Sequence, residues 1–134
     1  MVEMQLSRLV IRETRDYQSV YLREKDGSRE FRIVIGYFEA RAIDRKVRKR
    51  TMPRPMTHDL LGSVIEQLGA KLERIVVSRF ERHTFFAHLV LTQADGETLE
   101  VDARPSDALA LAAHCDAPIF AAEEVLAAAA SNDE

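Results

Sequence analysis

Hydrophobic and polar residues alternate along the first part of the chain, which is the pattern of strands that bury one face. The alternation covers residues 3–13, 18–24 and 30–35. Residues 25–28 separate the last two runs and have the composition of a hairpin turn. At residues 9–11 the alternation gives way to consecutive apolar residues, as expected for a strand buried on both faces. This region therefore predicts three strands.

The spacing of apolar residues then changes to intervals of three and four, which predicts two helices. The first helix covers about 36–48, with basic residues on its outer side. Its predicted buried side consists of Gly36, Ala40, Ile43 and Val47. Two prolines interrupt the helical pattern between residues 50 and 56. The second helix is predicted to begin with Thr57 as its N-cap and to stop at Gly69. Its predicted buried stripe consists of Leu60, Leu61, Val64, Ile65 and Leu68.

The second half of the chain repeats the sequence of strands followed by helices. Strands are predicted at 71–82, 84–93 and 97–103. Pro105 suits the first position of a helix that is apolar on nearly all sides, with Ser106 or Asp107 as its cap. Residues 118–120 form a short strand or an extended linker, and a last helix begins at Glu123. This order predicts one α+β domain over residues 1–134, with a mixed sheet of about five to six strands and about four helices.

Composition agrees with an ordinary globular protein. The chain has 134 residues, of which 46% are hydrophobic and 31% charged. No apolar run reaches the roughly 18 residues that span a bilayer, and the N-terminal residues resemble neither a signal nor a transit peptide. A single cysteine, Cys115, excludes an internal disulfide and is predicted to be a packed thiol. We therefore expect a cytoplasmic protein without a membrane partner.

Charge is distributed unevenly, although the net charge is only −3. Residues 1–94 contain 18 Lys and Arg against 12 Asp and Glu, whereas residues 95–134 contain one Arg against 10 acids. Such asymmetry is typical of a protein that binds a polyanion on its basic side. It is also typical of a subunit whose basic and acidic parts contact each other across an oligomer interface.

Three segments together resemble the bifunctional nuclease family. Residues 35–43 match the pattern I-G-x-x-E-A-x-A-I, residues 54–60 match R-P-x-T-H-D-L, and residues 102–112 match D-A-R-P-S-D-A-x-A-L-A. The sequences A-P-I-F and E-E-V-L follow at 117–120 and 123–126. Order and spacing agree with the family across nearly the whole chain.

The resemblance implies an α+β domain with a mixed sheet that commonly self-associates. It also implies nuclease activity on DNA and RNA, without an agreed catalytic mechanism. The chain departs from the family in two places. Residues 79–86 replace a short Asp-Gly turn, and residues 113–115 stand where many members have a basic residue.

A nuclease must stabilise the negative charge that develops on a phosphate, through metal ions or cationic side chains, while a base activates water. The candidate catalytic residues are Glu39, His58, Asp102 and Asp107. His58 would act as general base or metal ligand. Asp102 and Asp107 would hold a divalent ion, Mg²⁺ or Mn²⁺, and Arg54 and Arg104 would bind phosphate.

Each of these residues also has a structural interpretation. Asp107, and the further candidate acid Asp59, fit positions that stabilise a helix start. Arg104 lies between two aspartates and could form an ion-pair network, and Glu39 could pair with Arg54 or Arg104. His58 could be a capping or packing residue.

The segment from Arg41 to Arg54 is strongly basic, with Asp44 as its only acid. Candidate nucleic-acid contacts are Arg41, Arg45, Arg48, Lys49, Arg50, Arg54 and, outside this segment, Arg104. Such a surface would give salt-dependent binding that is blind to sequence. Alternatively, it is a solvated helix face or a contact with the acidic third of another subunit. Aromatic residues that stack bases do not alternate with these cations.

Two hypotheses follow. The first is a metal-assisted nuclease of low sequence specificity, which requires at least two of the acids to converge in a cleft open to solvent. The second is a non-catalytic module, a dimer or larger homo-oligomer, that binds nucleic acid or protein.

Overall fold

The protein, as a computed structural model, is described over residues 1–132, two fewer than the predicted domain of 1–134. Its strands are β1 (Val2–Val10), β2 (Tyr17–Glu24), β3 (Glu30–Gly36), β4 (Lys71–Glu81), β5 (Thr84–Thr92), β6 (Thr98–Ala103) and β7 (Ile119–Ala121). Its helices are α1 (Tyr37–Val47), α2 (Thr57–Gln67), α3 (Pro105–Cys115) and α4 (Glu123–Asn132). The α+β class is confirmed. The described sheet has seven strands, because the segment predicted as strand or linker pairs as β7.

All strands belong to one mixed sheet, in the order β3-β2-β1-β7-β4-β5-β6. Every neighbouring pair is antiparallel except β4 and β7, which are parallel. The sheet thus consists of two antiparallel groups of three strands, with β7 between them. β7 pairs with Val2–Met4 of β1 on one side and with Ile75–Val77 of β4 on the other.

The sheet curls strongly, so that strands distant in its order come into contact. Phe31 of β3 stacks on Phe85 of β5 with ring centroids 5.5 Å apart, and Phe85 also stacks on Phe80 of β4 at 4.2 Å. These rings lie on the face that carries the hydrophobic core. Right-handed twist accumulates in such sheets, and here it forms a concave face that the helices cover.

Helix α3 is the centre of the helical layer. Its residues from Ala108 to Ala112 are all buried, as predicted from its apolar composition, and both α1 and α2 pack against it. Close packing with α2 depends on Gly62, because a Cβ there would lie 2.5 Å from Cδ2 of His114. The positions of α1 and α2 are therefore set by one buried helix.

The predicted core stripe of α2 is wrong for four of its five residues. Only Ile65 is buried. The exposed members, which have 39–78% of their surface accessible, are Leu60, Leu61, Val64 and Leu68. The helix instead turns His58, Gly62 and Ile65 inward, since the glycine allows close approach to α3. We call the four exposed residues the α2 apolar face.

Three smaller expectations are also corrected. Val47 is 55% exposed at the end of α1, and Cys115 is exposed rather than packed. The N-caps of α2 and α3 are Met56 and Arg104, one to three residues before the predicted caps. Pro105 does occupy the first position of α3, and Gly69, with φ of +78°, follows α2 as predicted. Among residues 1–132, no helix is long and apolar enough to span a bilayer.

Candidate active site at three helix N-termini

The first turns of α1, α2 and α3 meet at one point. Glu39 lies in the first turn of α1, His58 is the second residue of α2, and Asp107 lies in the first turn of α3. Arg104 is the extended residue just before α3, with φ −66° and ψ 144°, as the proline after it requires. The three sequence motifs thus each place a side chain at the same location.

These four side chains are joined by hydrogen bonds and ion pairs. His58 Nε2 lies 3.1 Å from Asp107 Oδ1. Arg104 donates from Nε to Asp107 Oδ2 at 2.9 Å, and its Nη1 lies 3.6 Å from Glu39 Oε2. We call Glu39, His58, Arg104 and Asp107 the site cluster. Two of the predicted acids therefore converge on one guanidinium group.

Asp107 does not cap its own helix. The start of α3 has no hydrogen bond from a capping side chain, and both Asp107 oxygens instead accept bonds from neighbouring groups. With Nε2 as the protonated nitrogen that donates to Asp107, the neutral imidazole of His58 keeps a lone pair on Nδ1. That nitrogen has no partner within residues 1–132.

The site cluster borders two cavities. The smaller, of about 320 Å³, is lined by all four members together with Phe38 and Arg45. The larger, of about 590 Å³, lies between β3 and the β4–β5 hairpin and shares Glu39 and Arg104 with the first. Both volumes fall within the range of about 300–1,000 Å³ that is usual for ligand pockets. The cluster is therefore open to a bound molecule from two sides.

The helix dipoles at the site favour an anion, while Arg45 and Arg104 balance the charges of Glu39 and Asp107. The positive dipole ends of three helices meet at this location. The pKa of Arg104 is raised by its hydrogen bond to Asp107 and by the charges of Asp107 and Glu39, so the side chain stays cationic. Arg45 also lines the smaller cavity, and its side chain makes no ion pair with any described residue.

Asp59, the neighbour of His58, belongs to a different group of contacts. Its Oδ1 lies 2.5 Å from Lys46 Nζ of α1, and its Oδ2 accepts a hydrogen bond from the Met56 N–H at 2.9 Å. His114 Nδ1 of α3 is 3.1 Å away but is not oriented for a hydrogen bond. Burial raises the pKa of Asp59, but Lys46 and the Met56 N–H outweigh it, so the net pKa lies below its usual range. We call Lys46, Asp59 and His114 the tie cluster.

Asp102 is not brought to the site cluster. It is exposed on β6, where it pairs in register with His88, while the next residue, Ala103, pairs with the buried Ala87. Because successive strand residues point to opposite faces, Asp102 lies on the face away from the core and the helices. The alternation of Val101, Asp102 and Ala103 is the sequence signal that would have separated it from Asp107.

The proposed metal pair of Asp102 and Asp107 does not fit this arrangement, because the two side chains lie on different sides of the sheet. Among the described residues, no group of three or more His, Cys, Asp or Glu side chains is placed to hold a metal ion. The carboxylates inside the smaller cavity, Glu39 and Asp107, already form ion pairs with Arg104. Metal assistance therefore stays a prediction.

The residues of the basic segment differ in whether they form ion pairs. Arg41 and Arg48 both pair with Asp44, at 3.8 and 2.9 Å. The exposed members that make no ion pair within residues 1–132 are Lys49, Arg50 and Arg54. Glu39 therefore pairs with Arg104 and not with Arg54. Arg45, in contrast, reaches the smaller cavity with the site cluster.

One residue at the cavity was not a sequence candidate. Phe38 lies immediately before Glu39, lines the smaller cavity and is 81% exposed. Its ring meets that of Tyr37 edge to face, with centroids 5.7 Å apart. A phenylalanine in an apolar pattern is normally assigned to the core, so only its position inside the first motif could have drawn attention to it.

Comparison with known proteins agrees with the motifs. A family model described as the bifunctional nuclease domain matches residues 20–134. An uncharacterized protein of Mycobacterium tuberculosis is 34% identical over 129 residues, which cover 96% of this chain and 76% of that protein. Bifunctional nucleases 1 and 2 of Oryza sativa are 24% and 25% identical over 115 and 112 residues, and the matched part covers 34% of each.

Proposed function

The chain belongs to the bifunctional nuclease family, and from that premise we propose that it hydrolyses phosphodiester bonds of DNA, RNA or both with low sequence specificity. One observation carries the proposal. Each of the three family motifs contributes at least one side chain to a single cavity, where a histidine, its carboxylate partner and an arginine lie side by side.

Phosphate is the part of a nucleic acid that this cavity suits best. Helix N-termini and the side chains of Arg45 and Arg104 attract an anion, and a guanidinium group binds two phosphate oxygens at once. Contacts with the phosphate backbone carry no sequence information, which explains the proposed low specificity. The exposed Lys49, Arg50 and Arg54 would add salt-dependent contacts along a bound strand.

His58 is the proposed general base. Asp107 holds the Nε2–H, so Nδ1 accepts a proton from water as the water oxygen bonds to phosphorus. The P–O bond to the leaving nucleotide breaks, and the leaving oxygen takes a proton from solvent. Arg104 stabilises the charge that develops on the non-bridging oxygens. Asp107 thereby acts as a positioning residue, and Glu39 orients Arg104 from its other side.

Dependence on Mg²⁺ or Mn²⁺ is a separate proposal. For a metal ion to approach Glu39 and Asp107, Arg104 must first release both carboxylates. Activity in EDTA would favour the metal-free step above, and strict metal dependence would favour a rearranged site.

The test is cleavage of labelled single- and double-stranded DNA and RNA, each in Mg²⁺, Mn²⁺ or EDTA. His58→Gln is compared with His88→Gln, a matched control whose Nε2 lies 3.7 Å from Glu100 outside the cavity. We expect His58→Gln to lower the rate by about 100- to 10,000-fold, as for loss of a general base. The control should keep the wild-type rate. Equal rates in all three proteins would indicate a contaminating nuclease and reject the assignment.

A non-catalytic homo-oligomer is the second candidate function, and the α2 apolar face favours it. Its four exposed side chains stand together on one helix, and such patches commonly mark association surfaces. Light scattering of the wild type and of Leu68→Asp tests this surface. Dissociation by the substitution, combined with absence of cleavage under every condition above, would support the binding module over the nuclease.

A further inference from the structure

Phe38 is the most exposed large hydrophobic side chain among those described, yet it stands at the rim of the smaller cavity. A phenyl ring left in water forgoes the favourable transfer to an apolar environment. Its edge-to-face contact with Tyr37 supports the ring but leaves most of its surface accessible. A flat apolar surface is thus offered at the entrance of a site that is otherwise polar.

The same side of α1 offers a cation. Phe38 and Arg45 are seven residues apart, so they lie almost two helical turns apart on one face, and both line the cavity. Arg104 lies on the opposite wall, where it bonds with Asp107. A ligand that matches this arrangement combines a flat ring with an anionic group, which is the chemistry of a nucleotide.

Beyond Arg104 the larger cavity continues, with the exposed Tyr17 and the side chain of Arg32 in its wall. A strand bound at the smaller cavity can therefore extend past the site cluster instead of ending there. The two cavities together therefore suit a nucleotide that lies within a longer nucleic-acid strand.

We propose that the smaller cavity binds one unpaired nucleotide, with its base stacked on Phe38 and its phosphate between Arg45 and Arg104, so that single strands are preferred over duplexes. The proposal rests on the proposed nuclease function and specifies its substrate class. In a duplex both faces of a base are covered by its neighbours, so the ring of Phe38 can stack only on a base that is unpaired or turned out.

Fluorescence anisotropy tests the proposal with a labelled single strand and a blunt-ended duplex of two complementary strands, both with backbone linkages that resist hydrolysis. Stacking of one base contributes about 5- to 150-fold to affinity when measured by alanine substitution. We therefore expect Phe38→Ala to weaken single-strand binding within that range and to leave duplex binding unchanged. Phe38→Tyr, which keeps a flat ring, should restore single-strand binding. Leu99→Ala, an exposed side chain on β6, is the matched control.

The outcomes separate this proposal from the proposed function. If the wild type binds and cleaves but Phe38→Ala weakens both ligands equally or neither, the stacking role is wrong and the nuclease assignment stands. If the wild type binds neither ligand, both proposals fail. If Phe38→Ala instead changes the mass measured by light scattering, the ring belongs to a subunit contact and the stacking role is rejected.

Discussion

His58 and Asp59 are neighbours in the chain but belong to two regions with different properties. In the site cluster, His58 makes an oriented contact with Asp107 beside a cavity of about 320 Å³. In the tie cluster, Asp59 holds Lys46 and the start of α2 beside a void of about 10 Å³, room for about one water molecule. Both regions combine a histidine with an aspartate, but among the described residues only the pair His58 and Asp107 lies with both side chains in the wall of a cavity of ligand size.

The comparison shows that residue types alone do not identify a catalytic pair. His114 lies as close to Asp59 as His58 lies to Asp107, at 3.1 Å in both cases. The difference is orientation and surroundings. His58 has a nitrogen left for a substrate, whereas His114 is wedged against Gly62 between two helices. We therefore expect the site cluster to govern activity and the tie cluster to govern stability.

The largest contrast is expected between Asp107→Asn and Asp59→Asn. Asp107→Asn should lower the cleavage rate by about 100- to 10,000-fold, because His58 loses the anion that orients it. Its melting temperature should stay close to that of the wild type. Asp59→Asn should keep the rate per folded molecule but lose about 1–2 kcal/mol of stability, since Lys46 loses its partner. Cleavage assays and thermal unfolding on both variants check this. Loss of activity in both, with stability unchanged, would abolish the distinction.

A smaller effect is expected at the contact between α2 and α3. In Gly62→Ala the new methyl group would meet His114 at 2.5 Å from Cδ2 and 2.7 Å from Nε2. Overpacking costs about 1–3 kcal/mol, whereas alanine in place of glycine gains about 1 kcal/mol of helix propensity. We expect a net loss of up to about 2 kcal/mol in urea unfolding. The double variant with His114→Ala should recover the part due to the clash; no recovery would mean that the ring is not the obstacle.

The smallest effect concerns acid stability. The pKa of Asp59 is below its usual range, so its ionised form stabilises the fold above about pH 4, the ordinary pKa of Asp. That contribution is lost as the pH falls through the lowered pKa. In Lys46→Gln, part of this stabilising contribution should be missing at neutral pH. The free energy of unfolding should therefore be lower than that of the wild type by about 1 kcal/mol or less. Urea unfolding from pH 6 down to pH 2 should therefore show a shallower decline for the variant. Parallel declines of stability in the wild type and in the variant would mean that Lys46 is not the cause of the lowered pKa of Asp59.

The strands were predictable because alternation and turn residues mark them directly. The seven observed strands include β7, whose three residues are too few to show a period. The helices were located correctly, but the buried side of α2 was wrong. Leucine and valine at helical spacing indicate that a face is apolar, and only Gly62 against His114 determines which side packs on α3.

The site was predictable in part for a different reason. Glu39, His58, Arg104 and Asp107 were candidates because of family motifs, and their convergence depends on tertiary packing of three helices. Asp102 shared a motif with Asp107, but the direction of its side chain follows from strand alternation rather than from motif proximity. Phe38 had no signal of its own, since periodicity treats an exposed aromatic residue like a buried one.

The position of β7 also bears on how the chain folds during synthesis. Within residues 1–132, Ile119–Ala121 is the strand that connects the two groups of three strands, so the sheet stays divided until these residues have left the ribosome. Until then β1 and β4 each present an open edge, which is a site for pairing with other chains. We expect the nascent chain to be most exposed to aggregation in the interval after β6 has been synthesised and before β7 has, when both halves exist and the strand that joins them does not.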